Sequence, residues 1–316
     1  MLIVNPPDYN RIKDISSNTK QIRLRDHIGG FDRYYKNNLL DTINLNKTEV
    51  HYHAHLPNAV KNNYPNINFK FDIDTQENLN LRSMSEFKTN NINLYENFLC
   101  TLLGSFHESR MLLASILHKS QLWNDDYCTK NFEYDWNTVD GVIAYYTENK
   151  EHVYNRFFID HSDIDKKIIS IDYDHCNTVH NMKATELLVG NSCITIVAET
   201  IGESYVPFVT EKFLQNIVTK TLFLGYAQPG WHHTLVDQYG FKLYNSVFDY
   251  SFDDIKNPVY RLLRLIEMIS KFRYLTKKDW HEIYLAEKDT IEYNYNHYYS
   301  KKYLTCLKQF DKSNNA

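Results

Sequence analysis

Residues 194–241 read ITIVAETIGESYVPFVTEKFLQNIVTKTLFLGYAQPGWHHTLVDQYGF, and the alternation of apolar and polar pieces within them decides the fold class. Ile194 to Ala198 is a continuous, largely β-branched apolar run of strand length, the pattern of a strand buried on both faces. Glu199 ends it, and a polar loop containing Glu203 leads to Phe208-Val209-Thr210-Glu211-Lys212. Glu211 to Val218 has helical spacing, and Thr221 to Tyr226 is a second short apolar strand. Trp231 to Tyr239 is a short helix stopped by Gly240. Strand, helix, strand and helix in this order predict an α/β domain with a mostly parallel sheet. Such sheets bind ligands beyond the carboxyl ends of their strands.

The pattern extends in both directions. Upstream, Phe98 to Leu103 is a strand ending at Gly104. Ser105 then caps a helix through Met111 to Leu117, with Glu108 completing a capping box. Further strands are expected at Gly141 to Tyr146 and Ile168 to Tyr173. Downstream, Pro258 opens a helix carrying Val259, Leu262, Leu263, Ile266 and Ile269, and a last helical region starts near Lys277. The N-terminal part holds short strand-like pieces, Leu2 to Val4, Val50 to His55 and Asn68 to Asp72, among polar loops. The polar stretch from Thr75 to Asn93 reads as a connection, which predicts two regions, 1–92 and 93–316.

With 43% hydrophobic and 15% aromatic residues in 316, the chain has the material for a packed core and is not a disordered segment. Its wealth of Tyr, Asn and Ile matches an AT-rich genome. A formal net charge of −4 argues against a general nucleic-acid binder. One basic stretch, Lys20 to Lys36 with Arg23, Arg25 and Arg33, suits either a solvated face or a phosphate contact. The five cysteines (Cys100, Cys128, Cys176, Cys193 and Cys306) form no Cys-x-x-Cys pair, so neither a disulfide framework nor a thiolate zinc site is expected. Pro6, Pro7 and Asp8 interrupt the N-terminus before an apolar signal segment, and no apolar run reaches membrane-span length. A cytoplasmic location, with no membrane span, follows as the expectation.

The residues around the two strands suit a nucleotide-sugar donor. A departing diphosphate needs cationic and helix-N-terminal stabilisation, which Lys212 and the amides after Thr210 would supply. Glu199 and Glu211 can accept hydrogen bonds from sugar or ribose hydroxyls. His232 and His233 follow Gly230-Trp231 at a loop-to-helix turn and can approach the same ligand. His51, His53 and His55 alternate so that a strand would put all three on one face. They suit a metal, a general base on the acceptor side, or a plain edge strand. Two acidic pairs, Asp163/Asp165 and Asp172/Asp174, have the spacing of a divalent-metal site, but such pairs are common among 39 acidic residues, and no metal is expected. Walker-type, His-Glu-x-x-His and Gly-x-Ser-x-Gly motifs are absent from the sequence.

The ordered set resembles the donor-binding half of GT-B-type glycosyltransferases. It is especially similar to a family of phage and large-virus glycosyltransferase-like proteins, with a looser echo in fucosyltransferases. That family's pattern is a strand, a Glu, a loop, Thr-Glu-Lys opening a helix, a strand and a closing Gly-Phe. Glu199, then Thr210, Glu211 and Lys212, then Gly240-Phe241 match it in order. The family's upstream strand and His-x-x-Arg element correspond to Phe98–Gly104 and His107-Glu108-Ser109-Arg110. Tyr250 to Asp254 and Arg261 resemble its Ser-Tyr-Asp and Arg elements, with Phe252 in place of the Tyr. Leu103-Gly104-Ser105-Phe106 departs from the family's usual Asn-Arg.

The resemblance implies a GT-B-like fold, with a Rossmann-type donor domain at 93–316 and a divergent acceptor-side region at 1–92. It implies a sugar transferase that needs no cofactor, acting between a nucleotide sugar and the hydroxyl of a glycan or small molecule. Donor contacts would come from His107, Arg110, Glu199, Thr210, Glu211, Lys212 and His232, and the catalytic groups would be His53, His55 and Glu199. Two rival expectations keep the same fold. One is a viral enzyme that glycosylates a DNA base, and the other is a non-catalytic interaction module.

Overall fold

The computed structural model describes residues 2–4, 21–24, 49–52, 64–71, 96–103, 108–124, 128–130, 137, 139–148, 188–199, 209 and 212–314. Strands β1 (Leu2–Val4), β2 (Gln21–Leu24), β3 (Glu49–Tyr52) and β4 (Asn68–Phe71) form one parallel sheet in the order β1-β2-β3-β4. A second parallel sheet is built from β5 (Asn97–Leu103), β6 (Cys128–Lys130), β7 (Ser192–Ala198) and β8 (Leu222–Tyr226), in the order β6-β5-β7-β8. The molecule is therefore mixed α/β with parallel sheets.

The second sheet carries the core. Every residue of β7 and β8 is buried, as a parallel sheet covered on both faces requires. Ile194 sits between Leu99 and Leu222, and Ile196 between Thr101 and Leu224, so the apolar run is in register across three strands. The Thr101 hydroxyl donates to the Ile196 carbonyl at 3.1 Å, which satisfies a polar group in the middle of the sheet.

Helices α1 (Glu108–Lys119), α2 (Val139–Glu148) and α5 (Pro258–Ser270) pack on one another. Helix α3 (Lys212–Thr219) packs on β7, β8 and α7 (Lys288–Tyr299) through buried Phe213, Leu214, Ile217 and Val218. Short α4 (Trp231–Asp237) and a 3-10 turn (Tyr250–Asp254) intervene, and α6 (Lys277–Ala286) and α8 (Lys302–Asn314) complete the chain. The helix starts are written locally. Asn257 accepts from the amides of Val259 and Tyr260 ahead of Pro258, and Thr276 with Asp279 forms a capping box. Gly240 takes φ 73° just beyond α4, the left-handed turn that ends the helix.

One expectation is corrected. Gly141 to Tyr146, read as a strand, is the middle of α2. A short apolar run fits a buried strand or a buried helix equally well by periodicity, and Asp140 in the first turn suits a helix N-terminus. Strand β2 falls inside the basic stretch, where Ile22 and Leu24 alternate with polar residues, and β6 is only three residues long. The expected strand at Ile168 to Tyr173, the Ser105 cap and the two acidic pairs lie outside the described residues.

Two contacts tie the helices to the sheet. The Tyr284 hydroxyl accepts from the Leu222 amide and donates to the Cys193 carbonyl, both at 3.1 Å, pinning α6 to the starting ends of β7 and β8. In β8, Gly225 lets the Trp231 ring lie against the backbone, since a Cβ there would meet ring carbons at 2.5 Å. Gly225→Ala is therefore expected to overpack this contact and lower stability by about 1–3 kcal/mol, measured by chemical denaturation. A change within about 0.5 kcal/mol, the ordinary surface range, would mean that the ring is not held against β8.

Candidate functional site

The strand order places a crevice. From β5 the chain passes through α1 to β6 on one side, and from β7 it passes through α3 to β8 on the other. Adjacent parallel strands whose connections leave in opposite directions splay at their carboxyl ends, and open α/β sheets bind ligands there. The crevice therefore lies beyond Leu103 and Ala198, the last residues of β5 and β7.

Three charged residues meet at the β7 exit. Glu199 follows the strand directly, and its amide still donates to the Tyr226 carbonyl at 3.2 Å, so the main chain remains paired with β8. Its carboxylate is fully buried, with Lys212 Nζ 3.9 Å from Oε2. Lys212 is the first residue of α3, and 27% of its side chain is exposed. Arg110, in the first turn of α1 and buried, donates from Nη2 to the Ala198 carbonyl at 3.5 Å. Burial pushes the Tyr239 phenol well above its usual range, and the nearby Glu199 charge raises it further.

This arrangement assigns unequal parts. Glu199 has no open surface and serves to hold Lys212, while Arg110 ties the start of α1 to the strand end. Lys212 is the partly open member of the three, and it stands at a helix N-terminus whose dipole also favours an anion. Thr210, Glu211, His107, His53 and His55 lie outside the described residues. His51 falls in β3, where its backbone is in register with Arg23 of β2 and Lys70 of β4.

His232 has a different task from the one expected. It is fully buried, and both ring nitrogens are engaged within the protein. The Gly225 amide donates to Nε2 at 2.9 Å, so Nδ1 carries the proton and donates to Asp253 Oδ1 at 2.9 Å. Asp253 Oδ2 also accepts from the amides of His232 (2.9 Å) and His233 (3.4 Å) in the first turn of α4. No ring nitrogen is left to meet a donor. The Tyr250–Asp254 element thus works as a remote cap for α4, and Arg261 Nη1 donates to the carbonyls of Ile255 and Lys256 just beyond it. Asp253 lies 21 residues from His232, and no local spacing advertises the pair.

Burial pushes the thiols of Cys100 and Cys193 up to about 12, which leaves them protonated. Among the described residues, no group of three or more His, Cys, Asp or Glu is placed to hold a metal, and no helix is long and apolar enough to cross a membrane. Compared with protein-family models, curated proteins and solved structures, the chain matches none.

Burial works against the Asp253 carboxylate, but the His232 ring and the two amides outweigh it and hold its pKa below the usual range. A depressed folded pKa contributes stability that is present near neutrality and lost as pH falls through the folded value. Asp253→Asn should therefore cost about 1.5–3 kcal/mol at pH 7, the worth of hydrogen bonds to a charged group. The gap between wild type and variant should narrow as pH drops below about 4. Equal unfolding free energies at pH 7, or a gap independent of pH, would contradict this role.

Proposed function

We propose that the chain is a glycosyltransferase of GT-B-like architecture, moving a sugar from a nucleotide-sugar donor to a hydroxyl acceptor. The observation that carries this reading is the placement of Lys212, backed by buried Glu199, at the helix N-terminus beside the sheet's switch point. On this reading residues 93–316 form the donor domain and 1–92 the acceptor-side region. The donor diphosphate sits at the β5 and β7 exits, with its negative charge facing Lys212 and the first amides of α3.

Charge builds on the diphosphate as the glycosidic bond breaks. A fixed cation and oriented amides stabilise that charge more in the transition state than in the ground state. Glu199 and Arg110 act as positioning residues, keeping Lys212 and the start of α1 in place. The proton of the acceptor hydroxyl would pass to a base from the acceptor-side region, where His53 and His55 are the candidates. No metal is required by this scheme, because Lys212 and α3 supply the positive charge.

The test is a thermal-shift panel of nucleotide sugars and free nucleoside diphosphates on wild type and Lys212→Met. A ligand at a hundredfold its Kd should stabilise the wild type by about 2.7 kcal/mol. The variant should bind the diphosphate about tenfold to a hundredfold more weakly. It should also lose about 1–3 kcal/mol of stability, less than the ~3–5 of a fully buried pair because Lys212 is partly open. A wild type that binds none of these ligands at millimolar concentration would sink the proposal. Undiminished binding in the variant would remove Lys212 from it.

A further inference from the structure

A cavity of about 670 Å³ opens between α4, the 241–250 segment and the α6–α7 junction. It lies apart from the crevice. Glu287, at its wall, is one turn past Tyr284, which bonds the starting ends of β7 and β8, whereas Glu199 and Lys212 sit at the opposite end of β7.

The polar groups facing it are incompletely satisfied. Glu287 is only 4% exposed, and its Oε1 accepts from the Ser246 amide at 3.2 Å and from the Ser246 hydroxyl. Its Oε2 takes no protein hydrogen bond, and no Lys, Arg or His pairs with the carboxylate among the described residues. Tyr250, 8% exposed, accepts from the Tyr244 amide, while its own proton has no acceptor among the described residues. The Thr290 hydroxyl and Asn245 amide also line the space, with no partner among the described residues.

Glu287 and Tyr250 are nearly buried, Thr290 is half-buried and Asn245 is exposed, so all four can hydrogen-bond a ligand in the cavity. The set combines an acceptor-only group, a donor and two groups that do both. A cationic amine would satisfy Glu287 but not the Tyr250 proton, and would meet Lys242 in the same lining. An anion would be repelled by Glu287. Neighbouring hydroxyls, each donating and accepting, satisfy all four, and the volume is within the usual range for small-ligand sites. We propose that this cavity is a saccharide site for a neutral mono- or disaccharide, distinct from the switch-point crevice and independent of the transferase reading.

The test is ligand-observed saturation-transfer NMR on the full chain with D-glucose, D-galactose, D-mannose and maltose, and spermidine as the cationic control. At least one sugar should show transfer and spermidine none. Glu287→Gln, which keeps the shape and removes the charged acceptor, should weaken sugar binding about tenfold or more. Thr290→Arg, which fills the cavity from a half-buried position, should abolish it while leaving the melting temperature and nucleoside diphosphate binding at wild-type values. If Glu287→Gln fails to fold, Thr290→Arg alone decides. No transfer from any sugar, sugar binding that survives Thr290→Arg, or spermidine binding in place of sugar would overturn the proposal.

Discussion

Burial of β7 on both faces constrains most of the second sheet. A strand with no exposed residue must be flanked by strands on both edges and by helices on both faces, and β5, β8 and the helices around α1 and α3 meet those needs. Those neighbours leave the chain in opposite directions, and the crevice at the carboxyl ends is a geometric consequence. Where β7 ends, the backbone can no longer hide in the sheet, and the first side chain beyond it is a carboxylate. A buried charge is costly unless it is paired or hydrogen-bonded. Lys212 supplies the pairing cation, and the same contact fixes where α3 begins relative to the strand. Fold and candidate site thus share one interaction.

A second lock holds the far side of the same helix–strand unit. Helix α4 is too short to be stable by its own hydrogen bonds. It is fixed from outside by Asp253 at its first amides and by His232 reaching the Gly225 amide in β8. The aromatic cluster of Phe213, Phe223, Trp231 and Phe241, with ring centroids 5.3–6.4 Å apart, fills the space between α3, β8 and α4. Lys212 precedes Phe213 directly, so the position of the candidate ligand-facing cation is set by a packed and largely rigid layer.

Strands β5, β7 and β8 and helices α3 and α5 were legible in the sequence because each is a strong apolar pattern with its own punctuation. Helix α2 was not, since the short run Gly141 to Tyr146 fits either element and only tertiary packing decides. The order Glu199, then Lys212, was readable, but their 3.9 Å approach was not, because the loop between them has no periodicity. Lys212 is partly covered and Glu199 fully buried, which the linear order does not show. His232 looked available because it follows a glycine turn. Its actual partners, Gly225 and Asp253, are set by how α4 folds back on β8 and the 3-10 turn, which a linear reading does not contain. The cavity at Glu287 joins residues more than fifty positions apart and left no trace in local pattern at all.

Hydrogen–deuterium exchange on the full chain, with and without a saturating nucleotide sugar, tests the switch-point account most directly. Exchange should slow at two places together: the peptides spanning Glu199 to the first turn of α3, and those at the start of α1 around Arg110. Little change is expected in α6 to α8. Protection confined to other segments, or none in the presence of any nucleotide sugar, would contradict the assignment of ligand binding to the β5 and β7 exits.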